Sequence, residues 1–128
     1  MVRSDPSDLF RALVHVGTVE AVRQRYTVFI TAGADYVVFS PSRRGSLSYH
    51  MAVVSSEKVD ALYKAVGKEG ATTGLLMKDR ALGRIFGEGD RVAVRFDILM
   101  ALYVLAAAGK LTMEKEGRKL VFRRTAEP

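Results

Sequence analysis

The chain has 128 residues, 48% of them hydrophobic, carries a formal net charge of +6 and contains no cysteine. Its length supports one domain, residues 1–128, with a core of its own, and the missing thiols exclude disulfides, thiolate catalysis and cysteine zinc sites. No apolar run approaches the roughly 20 residues of a membrane span and the charged N-terminus does not resemble a signal peptide, so a cytoplasmic location without membrane contact is expected.

In the first half, Asp5-Pro6-Ser7-Asp8 starts a helix, with Asp5 at the N-cap and Pro6 at the first helical position. Leu9, Phe10, Leu13 and Val14 follow at helical spacing, and Gly17 ends the run. Thr18 to Arg25 reads either as a short helix, through Val19 and Val22, or as the start of a strand. From Tyr26 the period becomes two. Tyr26, Val28, Ile30 and Ala32 share one face, Gly33-Ala34-Asp35 turns, and Tyr36 to Phe39 returns as a more buried strand. After the turn Pro41 to Ser46, Leu47, Tyr49, Met51 and Val53 alternate as a third strand. Residues 1–54 are therefore expected to hold an N-terminal helix and a three-stranded antiparallel meander.

Residues 55–128 read as helical and end in a hairpin. Ser55 and Ser56 cap a helix carrying Val59, Leu62, Tyr63 and Val66, with Glu57 and Asp60 near its positive end. Thr72 or Thr73 caps a second, reaching about Leu82. Arg91 to Arg95 alternates with Val92 and Val94 and suits a short strand. Asp97 then caps an apolar helix, Ile98 to Ala108, closed by Gly109. With no polar face, that helix is expected to be covered nearly all round at the centre of the core. Beyond it, Lys110 to Lys115 and Arg118 to Arg124 flank Glu116-Gly117, the expected two-residue loop. That loop sets Met113 opposite Leu120, Leu111 opposite Phe122 and Glu114 opposite Lys119. The fold class is α+β.

The order helix (57–66), helix (73 to about 82), apolar helix (98–108) and basic hairpin (111–124) resembles a winged-helix domain. Thr72-Thr-Gly-Leu-Leu-Met-Lys looks like the second helix of such domains, and Leu105 to Leu111 looks like the entry to the wing. The resemblance implies a third helix that enters the major groove and a wing that touches the phosphate backbone. Two features depart from the pattern. Residues 80–95 are longer than the usual turn between the second and third helices, and Ile98 to Ala108 offers no side chain that reads base edges.

Charge supplies the functional expectation. Lys110, Lys115, Arg118, Lys119, Arg123 and Arg124 face only Glu114 and Glu116 within the hairpin, a concentration that favours an anionic partner, nucleic acid first. Contacts are expected from Lys115, Arg118, Lys119, Arg123 and Arg124 and from Arg43 and Arg44, mostly to phosphate and independent of base sequence. The alternative is an interaction module in which a second copy covers surplus apolar surface around residues 98–108, giving a symmetric homodimer. Tyr26, Tyr36, Tyr49, Phe29 and Phe39 could form a stacking platform for bases, but aromatic residues on strands are usually core, with Phe29 the expected exposed exception.

No catalytic nucleophile, metal site or cofactor is expected. The glycines from Gly67 to Gly89 miss both the phosphate-loop and the dinucleotide spacing. His15 and His50 have no carboxylate at ligand spacing, and a general-base role for His50 beside Ser48 is outweighed by a partly exposed strand histidine. Asparagine is absent and Gln24 is the sole glutamine, a balance that favours a thermophilic source.

Overall fold

Period-two patterning builds the first half of the molecule. In the computed structural model, which describes residues 13–20, 25–31, 35–41, 49–67, 69–87 and 90–125, the strands β1 (Val14–Glu20), β2 (Arg25–Ile30), β3 (Tyr36–Pro41) and β4 (Tyr49–Val54) form one antiparallel sheet in sequence order. Val28 faces Val38, which faces Ala52, so the meander expected from Tyr26 onward is present. One face buries Val19, Val28, Val38 and Val54 in the main core, with Tyr26 and Tyr36 packed against it. The other carries Phe29, whose ring meets Phe39 at 5.7 Å and His15 at 5.4 Å, edge to face in both cases.

The N-terminal expectation needs correction. Residues 1–12, where most of the expected helix falls, lie outside the described residues, as do Arg43, Arg44 and the turn around them. Val14 to Gly17, expected to finish that helix, instead open β1, which makes the sheet four-stranded. Valines at 14, 16 and 19 suit a pleated, half-buried surface, and Val14 and Val19 pair with Ile30 and Tyr26 across a bulge near Gly17. Gly17 is not a helix end: a Cβ there would collide with the carbonyl oxygen of Ala107, so glycine permits the close approach of a later helix.

Each helix of the second half starts at a side-chain cap. Ser55 accepts from the Lys58 N–H at the start of α1 (Ser56–Ala65), and Thr72 accepts from the Leu75 N–H at the start of α2 (Thr73–Met77). The single helix expected over 73–82 is broken. Asp79 accepts from the Leu82 N–H at 3.1 Å and begins α3 (Arg80–Phe86), while the Lys78 N–H closes α2 on the carbonyls of Leu75 and Leu76.

The apolar helix is longer than expected and starts earlier. α4 runs Arg91–Ala107 with Asp90, not Asp97, at its N-cap, accepting from the Val92 N–H at 3.0 Å. Arg91 to Arg95 is thus helix and not strand. The extra turns set Val94 on the same stripe as Ile98, Ala101 and Leu105, and helical spacing of those residues against the core outweighs the local alternation. From Ile98 to Leu105 every residue is buried except half-buried Leu99, as an all-apolar helix requires. The covering is supplied within the chain by the sheet, the other helices and the hairpin, so the bare helix surface expected to recruit a second copy is not present there. Gly109 (φ 78°) closes the helix: its N–H bonds to the Ala106 carbonyl and the Lys110 N–H to that of Leu105.

β5 (Leu111–Glu116) and β6 (Lys119–Arg124) form the hairpin, with its register displaced by two residues from expectation. Met113 faces Phe122, Leu111 faces Arg124 and Glu116 faces Lys119, leaving Gly117-Arg118 as the loop. Gly117 has φ 63°, and two-residue hairpin turns need positive φ at their first position, so the glycine takes that place rather than the second. A shift of two keeps every side chain on its expected face, because the strand period is two. Ala71 exchanges both backbone hydrogen bonds with Phe122, which ties the entry of α2 to the hairpin. Among the described residues no helix is long and apolar enough to cross a membrane.

Candidate nucleic-acid interface

Three elements converge at one surface. The bridge between Ala71 and Phe122 holds the start of α2 beside the hairpin, and α4 crosses beneath both. Between them lies a concavity of about 400 Å³ lined by Thr72, Thr73, Lys78, Arg95, Leu99, Tyr103, Arg118, Lys119 and Phe122, among others. A second, of about 390 Å³, shares Gly74, Lys78 and Arg95 with the first and adds Met77, Arg91 and Val92. Lys78, Arg91, Arg95, Arg118 and Lys119 therefore line adjoining hollows, all exposed, and no described carboxylate lines either one.

The expected hairpin cations divide. Arg118 and Lys119 reach the shared surface from the loop and the start of β6. Lys115 is exposed on the strand opposite Leu120 and lines neither hollow. Arg123 is held within the hairpin, where its guanidinium bridges Glu114 at 2.7 Å and Glu116 at 3.0 Å, and it lines neither hollow. Arg124 turns toward α1: it donates to the Tyr63 carbonyl oxygen at 2.9 Å and lies 4.6 Å over the Tyr63 ring. Lys110 approaches the same ring at 5.8 Å, so two of the hairpin's cations are engaged on one tyrosine.

Lys78, Arg91 and Arg95 were not anticipated. Their signal was present in the four-residue spacing of Arg91 and Arg95, which stacks them on one helix face, and in Asp90 as a cap ahead of a seventeen-residue helix. Reading Arg91 to Arg95 as a strand hid both. Val92, 76% exposed, lines the second hollow beside Arg91 and Arg95 and adds apolar contact area to a charged surface, whereas Phe96, 49% exposed, borders a separate hollow with Tyr26, Met51, Ala52 and Met100 on the sheet side.

Tyr103 forms the floor. It stacks on Tyr26 at 4.4 Å, joining α4 to the sheet, and burial pushes its phenol up to about 12, with the neighbouring Tyr26 adding to the shift. The phenol therefore stays protonated further into alkaline pH than a free tyrosine. The tyrosines expected as core behave so at positions 26 and 36, while Phe29 and Phe39 occupy the opposite face of the sheet, away from this surface.

Comparison with models of protein families, with curated proteins and with solved structures found no match.

Proposed function

We propose that this chain binds nucleic acid through the surface made by α2, the first two turns of α4 and the tip of the β5–β6 hairpin. The observation that carries the reading is the set of five cations on adjoining hollows without a carboxylate among their described lining residues. Each cation that neutralises a phosphate releases condensed counterion, which makes such a surface a sequence-independent grip. Arg118, Lys119 and Lys78 take the phosphates. Arg91 and Arg95 stand on a helix whose N-terminal turns are open, where arginine can pair with guanine and exposed Val92 can meet a thymine methyl group.

The winged-helix resemblance supports the same reading. α4 extends into the segment that seemed too long between the second and third helices, its first turns restore base-reading side chains, and the Ala71 bridge gives the hairpin a third short backbone partner. The expected outcome is therefore a phosphate grip supplemented by base contacts, not a phosphate grip alone.

The test is the fluorescence anisotropy of labelled duplexes across a salt series. Replacing Arg118 and Lys119 together by alanine should reduce the slope of log affinity against log salt by about 2 and weaken every duplex alike. Replacing Arg91 and Arg95 should also narrow the spread of affinities between base sequences. A parent protein that ignores duplex at about 50 mM salt, or a hairpin variant with unchanged affinity and slope, rejects the reading.

A further inference from the structure

A larger groove of about 760 Å³ lies between α1 and α3 and shares no lining residue with the basic hollows. Its apolar floor comes from Ala61, Ala65, Ala81, Leu82 and Ile85, small or branched side chains that leave room between two helices. Its charges are of the opposite sign to the molecule as a whole: Glu57, Asp60 and Asp79 stand along it against Lys64, on a chain of net charge +6. A groove of this make-up suits an amphipathic helix with apolar anchors one turn apart and cations beside them.

The chain itself carries that helix. In the first two turns of α4, Val92 and Phe96 lie four residues apart and are 76% and 49% exposed, and Arg91 and Arg95 repeat at the same interval. Val92 is open to water and Phe96, which also borders a hollow with Tyr26, Met51 and Met100, keeps half its surface exposed, so the pair leaves apolar area that a partner can cover. We infer that the α1–α3 groove receives the first two turns of α4 from a second copy of this chain, Val92 and Phe96 seated on the alanine floor and Arg91 and Arg95 set against Glu57, Asp60 and Asp79. Two basic chains that would otherwise repel each other meet here through surfaces of opposite charge. Made reciprocally, the contact closes a two-fold dimer. It occupies the α4 residues offered to nucleic acid, but its geometry does not depend on that reading.

Sedimentation equilibrium of the full chain without nucleic acid tests it. The parent should exceed the mass of one chain at concentrations up to about 100 μM and lose association as salt rises. Glu57→Lys with Asp60→Lys should weaken association by at least about 10-fold, as should Arg91→Glu with Arg95→Glu, because each sets like charges together. Mixed in equal amounts, the two variants should associate again, since the basic α4 of one meets the acidic groove of the other and the reversed pair is also complementary. Circular dichroism confirms that each variant is folded. A parent that stays a single chain, a folded variant that associates as the parent does, or a mixture no more associated than its parts overturns the inference.

Discussion

Gly117 occupies the first of two loop residues with φ 63°, a region where a β-branched side chain is strained. Gly117→Val should therefore lower stability by at least about 1 kcal/mol, read as a shift in the urea midpoint at constant slope. Tyr103 makes a pH-dependent contribution of a different kind. Its proton leaves near 10 in the unfolded chain and near 12 in the folded one, where burial and then Tyr26 disfavour the phenolate. The native state holds the proton more tightly, so its contribution is complete below about pH 10 and is lost as pH rises toward about 12. Denaturation midpoints should fall across that window, and Tyr103→Phe should remove the part of the fall that this residue causes. An unchanged profile in the variant would show that the phenol is not held as described.

At the scale of elements, α4 joins the core to the proposed interface, since its later turns are buried and its first turns expose Arg91 and Arg95. Asp90 holds those first turns by accepting the Val92 N–H. Asp90→Ala should cost about 1 kcal/mol and fray the helix start. Duplex affinity should be lower than that of Asp90→Asn, which loses the same negative charge but keeps a capping side chain, and the check is anisotropy beside the urea midpoint of both variants. The later turns were legible because an unbroken apolar run admits only a buried helix. The first turns were not, because Arg91-Val-Ala-Val-Arg fits a strand as well as a helix until the core position of Val94 is known. The hairpin shows the same division: side-chain face followed from alternation, whereas register depended on which loop position needed positive φ. Ser55 and Thr72 were readable as caps because a hydroxyl stands just before each apolar run, but Asp79 lay inside a run that looked continuous.

Across the whole molecule, residues from the sheet, all four described helices and the hairpin share one core cluster, with Tyr26 stacked on Tyr103 where the sheet meets α4. The basic hollows and the acidic groove are built from different side chains, Lys78 lining the first and its sequence neighbour Asp79 the second. Of the cations expected from sequence, Arg118 and Lys119 take part in the shared surface, while Arg123 and Arg124 have partners within the chain. Net charge alone could not separate those roles, because an arginine paired across a hairpin and one facing solvent contribute equally to composition. The most direct test is an amide NMR titration of the labelled chain with a short duplex at low salt. Shifts concentrated at residues 72–78, 91–96 and 117–120 are the predicted result; no shifts, or shifts confined to α1, α3 or the sheet, would contradict the proposed interface.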